Sequence, residues 1–213
     1  MMSETTNGKI QNLLEQAARQ NNSPTAEDSS VAQATRVFPT ETEAEKAFSI
    51  LRKRLFRIKR WNLESEISSF HLFDENGKSQ PEKTAVVGDF IKIGLPGSGK
   101  DDWVRIVEIQ DSADETVLTI QPSPDPTDKE NKKTTSHFFT AESTNNFCLQ
   151  KNDLKISFYV IGLNEKTNTE ETSGVLETVR NVAAANLGSI LGIQKAQWET
   201  FCENFIEIEQ IKN

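Results

Sequence analysis

TSGVLETVRNVAAANLGSILGIQKAQWETFCENFIEIEQI, residues 172–211, is the stretch that decides the fold. Thr172 or Ser173 can cap a helix start, its side-chain oxygen accepting from an otherwise orphan N–H. Glu170, Glu171 and Glu177 put negative charge near that start, where the helix dipole favours it. Leu176, Val179, Ala183, Leu187 and Ile190 then recur at three and four, which is one face of a helix. Ala183, Ala184, Ala185 and Gly188 keep the helix thin in the middle, for close backbone approach or for room over a cavity. Gly192 fits the left-handed residue that follows a helix end. A second stripe comes after it: Trp198, Phe201, Phe205 and Ile208, flanked by Cys202 and Ile206. The sequence therefore predicts two helices, or one bent at Gly192. Either way the apolar stripes need a surface to lie on.

The rest of the chain supplies strands. VAQATRVF, residues 31–38, reads as a first strand stopped by Pro39. Thr40 to Glu43 is a T-x-x-E capping box, so a helix starts there. Its apolar stripe is Ala44, Ala47, Phe48, Leu51, Leu55 and Ile58, and Trp61-Asn62 ends it or opens a shorter helix. From Glu66 the pattern turns to strands: ISSFHLFDENGK (67–78), VVGDFIKI (86–93), WVRIVEIQ (103–110), ETVLTIQ (115–121), SHFFTAESTNNFCLQ (136–150) and LKISFYVIGL (154–163). Asn76-Gly77 is the clearest turn signal. Residues 121–136 form a long polar, proline-bearing loop. Short turns between neighbouring strands imply an antiparallel sheet. The fold class is α+β: a curved antiparallel sheet wrapped around a long C-terminal helix, with an N-terminal helical tail. Residues 1–29 are that tail, holding one short amphipathic helix (Ile10, Leu13, Leu14, Ala17, Ala18) that either frays or docks. Residues 30–213 form a single domain.

Composition narrows the partners. A formal charge of -8 over 213 residues argues against nucleic acid, since phosphate binding needs a positive surface. Hydrophobic residues make up 35%, with mean hydropathy -0.56, enough for a core once a polar tail is set aside. No run approaches the length of a membrane-spanning helix, and the N-terminus shows no signal-peptide pattern. A cytoplasmic location is expected. Cys148 and Cys202 stand alone, without CxxC, and read as small buried hydrophobes rather than a disulfide or metal pair. No cofactor and no metal are expected.

Several motifs carry less than they promise. GLPGSGKD, residues 94–101, matches a phosphate-cradling loop through Gly99-Lys100. Asp101 then stands where Ser or Thr would hold magnesium, and the next segment is β-rich rather than a helix. A hairpin loop is the better reading. His71 and His137 are the only histidines, on strand-like segments without metal spacing. No G-x-S-x-G elbow occurs. Arg52, Lys53, Arg54, Arg57, Lys59 and Arg60 form a basic helix face, most simply solvated near a helix C-terminus. Arg52, Arg54, Arg57 and Arg60 are the candidate patch for an acidic partner. Alternation sets Ile156, Phe158 and Val160 on one face of the last strand and Ser157, Tyr159 and Ile161 on the other. The sequence does not fix which face is inward.

The order of elements from Val31 to Gly192, with AFSILRKRLFRIKRWN ending at a Trp and VVGDFIKIGLPG opening a strand at a glycine, resembles the START-like (SRPBCC) helix-grip superfamily. Its members usually end on one long helix; here a second stripe follows Gly192. The resemblance implies a cavity between sheet and terminal helix for apolar ligands such as lipids or polyketides. Some members are cyclases or hydratases, and many only bind. Three functions follow: non-catalytic binding of an apolar small molecule; an interaction or scaffold domain with a filled core, acting through the basic face; or a cavity enzyme of cyclase or hydratase type, with His71, His137, Asp89 or Tyr159 as acid or base. The first is preferred. Trp61, Phe90, Trp103, His137, Phe158 and Tyr159 are its candidate lining. Self-association is left open.

Overall fold

The structure is a computed structural model that describes residues 8–22, 29–65, 68–94, 101–128, 139–165 and 190–208, with side chains in the last segment from 195 onward. The first stripe of the closing helix, residues 176–187, the capping residues Thr172 and Ser173, His137 and the loop 95–100 lie outside the described residues.

Helix α1 (Lys9–Asn21) comes first. Strand β1 (Ser30–Val37) leads into α2 (Glu41–Leu55), a 3-10 turn (Ile58–Arg60) and the short α3 (Trp61–Glu64). Then follow β2 (Ser69–Phe73), β3 (Phe90–Gly94), β4 (Asp101–Asp111), β5 (Glu115–Pro122), β6 (Thr144–Asn152) and β7 (Lys155–Leu163). Helix α4 (Ile190–Ile206) closes the chain. The seven strands among the described residues form one antiparallel sheet in the order β1-β7-β6-β5-β4-β3-β2. The curved sheet folds around the terminal helix, which is the expected helix-grip arrangement.

Local chemistry sets the boundaries. Thr40 caps α2: its hydroxyl accepts from the Glu43 N–H at 3.3 Å and donates to the Glu43 carboxylate at 2.9 Å. Gly77 takes φ +76, a left-handed value that favours glycine, so the Asn76-Gly77 turn forms where the sequence places it. Strand β3 begins at Phe90 rather than Val86, because the Asp89 carboxylate accepts from the Val86 N–H at 3.0 Å and holds 86–89 in a turn. Strand β6 likewise starts at Thr144. Gly94 pairs with Asp101, so GLPGSGKD bridges two strands of a hairpin, and a strand rather than a helix follows its lysine. The β4–β5 register shifts between Ile106 and Glu108. This bulge lets Ile109 face the same side as Val104 and Ile106.

The sheet has two covered faces. The inner face packs against α2, α3 and α4, with Trp61, Phe70, Ile91, Phe147, Phe158, Phe201 and Phe205 in one continuous core. The outer face carries Val117, Cys148, Ile161 and Leu163, which pack against Ile10, Leu13 and Ala17 of α1. The N-terminal helix is thus docked on its own sheet. Glu115 of β5 accepts from the Ile10 N–H at 3.2 Å and so caps α1 from a neighbouring strand. Lys9–Glu108 at 3.0 Å and Gln20–Asn164 at 2.6 Å fasten its two ends.

One expectation about the closing helix needs correction. Gly192 does not end a helix; α4 runs through it. The described grip is made by the second stripe, with Phe201, Cys202, Phe205 and Ile206 all buried. Bulky rings on that stripe bury much apolar surface per residue, which is why they fill the inner face.

Candidate binding site

Strand pairing turns the inner face into rows. The first row is Ala34, Phe158 and Leu149; the second is Ala32, Val160, Phe147 and Leu118. The third is Ser30, Gly162, Asn145, Ile120 and Ile106. Alternation along β7 therefore turns Ile156, Phe158 and Val160 inward and leaves Tyr159 outward.

Rings fill the first two rows. Phe205 of α4 stacks on Phe158 with centroids 3.9 Å apart. Phe201 sits 6.1 Å from Phe147 and 6.2 Å from Phe158. Trp61 lies 4.5 Å from Phe147 and 5.5 Å from Phe70, and its indole N–H donates to the Leu55 carbonyl at 3.2 Å. Next to it, Asn62 accepts from the Phe70 N–H at 2.7 Å and donates to the Phe70 carbonyl at 2.9 Å. The Trp-Asn pair thus holds β2 against the core with both side chains.

One helical turn back along α4, Trp198 meets Phe147 of the second row edge-on at 5.5 Å; the third row lies next along the strands. There the chemistry changes. Gly162 has no side chain because the Glu165 carboxyl group folds over it; a Cβ would collide with that group and come within 2.6 Å of the Ser30 Oγ. Asn145 is 9% exposed and Glu165 1%. Among the described residues, the Asn145 Oδ1 and the Trp198 Nε1 have no hydrogen-bond partner. Each such buried atom costs roughly 1–3 kcal/mol; the Ser123 and Thr140 hydroxyls are likewise without a partner among the described residues.

Of the residues expected to line this space, Trp61 and Phe158 are in it. Phe90, Trp103 and Tyr159 are not. They lie on the opposite side of their strands, with Phe90 beside Arg105, Trp103 against Phe73 at 4.8 Å, and Tyr159 in the cluster under α1. The residues next to them in sequence, Ile91, Val104 and Phe158, took the inward phase. His137 lies outside the described residues. Asn145 and Trp198 escaped the sequence reading. An Asn inside a strand run and a Trp in an apolar stripe look like a surface residue and a core residue; strand register turns Asn145 inward, and helix packing sets Trp198 on Phe147.

Of the candidate acids and bases, Asp89 is engaged within the chain and Tyr159 faces the outer side of the sheet. Asp89 accepts from Lys83 Nζ at 2.6 Å as well as from Val86. His71 is exposed on β2. Burial pushes the Glu64 carboxyl above the ordinary glutamate range, offset in part by Arg54 and Arg60. Burial also raises the Cys202 thiol to about 12 and the Cys148 thiol well above its usual value, so neither is a thiolate nucleophile. The basic face is largely spent within the chain. Arg52 pairs with Asp111. Arg54 donates to the carbonyls of Phe205 at 2.7 Å and Glu207 at 2.9 Å, capping the end of α4, and lies 3.3 Å from Glu64. Arg57 donates to the Glu82 carbonyl at 2.9 Å. Among the described residues no helix is long and apolar enough to cross a membrane.

No family model and no curated protein matches the chain. Solved structures do match. A hypothetical protein of Helicobacter pylori superposes with a TM-score of 0.56 at 9% identity, over 86% of this chain and 88% of that one. Norcoclaurine synthase from Thalictrum flavum, solved with dopamine and hydroxybenzaldehyde, gives 0.39 at 10% identity, over 92% and 95%. The di-domain ARO/CYC protein BexL from the BE-7585A biosynthetic pathway gives 0.36 at 13%, over 85% and 53%. The first likeness supports the fold, and the two weaker ones add no argument about activity.

Proposed function

We propose that this chain is a START-like helix-grip protein that binds an apolar small molecule between the inner sheet face and α4, without a chemical step. The observation that carries this is the Trp198 Nε1, a buried donor without a partner among the described residues, held between aromatic rings. Ligand sites are mostly apolar, with a few polar groups that fix orientation, and the end of the grip near Trp198 and Asn145 has that composition. Binding rather than turnover fits the internal engagement of Asp89 and Glu64 and the raised thiols. A reducing cytoplasm fits two free cysteines buried in separate cores, Cys148 on the outer sheet face and Cys202 on α4 against the inner one.

Native mass spectrometry of freshly purified protein tests the reading. The expected result is an adduct lost on denaturation. A ligand at a hundred times its Kd stabilises the fold by about 2.7 kcal/mol, a Tm rise of several degrees for a chain of this size. An unadorned mass, together with no Tm rise across aromatic and aliphatic probes, would overturn it.

A further inference from the structure

The two edges of the sheet are finished differently. On β2 the outward backbone groups are taken: the Asn62 side chain meets both the N–H and the carbonyl of Phe70, and the Gln80 N–H donates to the Leu72 carbonyl at 2.8 Å. On β1 they are not. The Phe38 N–H donates to the Leu154 carbonyl at 2.8 Å, which sets the phase of the β1–β7 ladder. Even-numbered residues of β1 therefore bond to β7, and Val31, Gln33, Thr35 and Val37 turn their N–H and carbonyl groups to the free edge. None of these outward groups has a hydrogen-bond partner among the described residues. The Gln33, Thr35 and Val37 side chains are exposed, Val37 to 67%. Helix α4 packs on the inner side of β1, where Ala32 and Ala34 face the core, and Arg36 donates to the Ile208 carbonyl there at 3.4 Å.

An open strand of this length is a template for another strand. Its sequence, SVAQATRV, has no proline and no acidic residue, so the chain's charge of -8 is not concentrated on it. It also matches itself. Laid antiparallel on a second copy with Ala34 at the two-fold axis, Val31 stands opposite Val37 and Gln33 opposite Thr35, and all four outward residues enter the ladder. The exposed Val37 gains an apolar partner, the small Ala34 meets its own counterpart, and each Arg36 stands opposite Ala32 rather than the other Arg36. We infer that β1 is an interaction edge that takes β1 of a second copy of this chain, joining the two sheets into one.

Sedimentation of the full chain over a dilution series tests this. The expected result is a reversible monomer–dimer equilibrium, the dimer having twice the mass of the 23.9 kDa chain. Gln33→Pro removes an outward N–H at a position where an edge strand tolerates proline. It should weaken the dimer about tenfold or more and leave the circular dichroism spectrum unchanged. Val37→Asp, at an exposed position, should weaken it about threefold with the fold intact. Ala34→Cys should give a reducible covalent dimer on mild oxidation, because it would face its counterpart in a non-hydrogen-bonded pair, where Cα atoms come to about 4.5 Å. Cys148 and Cys202 are buried and do not compete. A monomer at every concentration overturns the inference, and so does a dimer that neither Gln33→Pro nor Val37→Asp weakens. Failure of Ala34→Cys to cross-link in a chain that dimerises overturns it too, by moving the contact off β1. The ligand-binding reading stands in each of these cases.

Discussion

Asn145 and Asn146 are neighbours in sequence and opposites in structure. Asn146 faces outward, toward the side covered by α1. Its amide accepts from the Thr119 hydroxyl at 2.9 Å and donates to the Ile161 carbonyl at 3.0 Å. Asn145 faces inward, toward α4, and its Oδ1 has no partner among the described residues. The same contrast runs through the two faces. The outer one is built from small and aliphatic groups under α1, whose ends are fastened by polar contacts. The inner one is built from rings, with a polar donor and acceptor left over at one end. A face that only has to hold a helix satisfies its polar groups internally. On the inner face the Asn145 Oδ1 and the Trp198 Nε1 stay unmatched among the described residues, at a cost in stability that the proposed function would offset with a ligand.

Three experiments break or sharpen this contrast. The largest effect belongs to the ring core. Phe158→Ala removes the ring that stacks on Phe205 and should cost about 3–5 kcal/mol, whereas Tyr159→Phe, on the other face, should cost under about 1 kcal/mol. Urea unfolding of both variants measures this, and equal losses would mean the two faces are not energetically distinct. Next is the outer helix. Ile10→Asp buries an unpaired charge at the α1–sheet contact, so α1 should lift and Cys148 should become reactive toward a thiol reagent in the native state, while Cys202, on the buried side of α4, stays protected. Simultaneous exposure of both thiols would show that the faces unfold as one unit. The smallest effect separates the two asparagines. Asn146→Ala should cost about 1–3 kcal/mol, because it leaves the Thr119 hydroxyl without its acceptor. Asn145→Val should be neutral, or stabilise by up to about 1 kcal/mol, since it deletes an unmet polar group. A loss at Asn145 equal to that at Asn146 would remove the basis for the proposed site.

Much of this was legible in the chain, and the reasons are local. The T-x-x-E box at Thr40, the glycine at 77 and the alternation of WVRIVEIQ each act through hydrogen bonds or sterics a few residues long. They announce elements without tertiary help. The 3.6-residue spacing of Ile10, Leu13 and Ala17 likewise marked a helix, but whether it frayed or docked depended on Glu115, over a hundred residues away. The basic run 52–60 read most simply as a solvated helix face, with Arg52, Arg54, Arg57 and Arg60 as the candidate patch for an acidic partner. Arg52, Arg54 and Arg57 instead find Asp111, the α4 terminus and the Glu82 carbonyl, none of them near in sequence.

The candidate site was the least legible part. A strand has two faces related by a shift of one residue, and composition alone seldom says which is wet. Phe90, Trp103 and Tyr159 took the outward phase and Phe158 the inward one, although all four are large and aromatic. The sequence by itself determined the order of elements, the antiparallel connections and the need for an apolar helix to close them, because each follows from periodicity and turn chemistry. Only the tertiary structure decided that the second stripe makes the described grip, that α1 seals the far side, and that Trp198 packs on Phe147 while Asn145 faces inward. Those outcomes depend on register and on packing between residues far apart in the chain, and no short window of sequence contains that information.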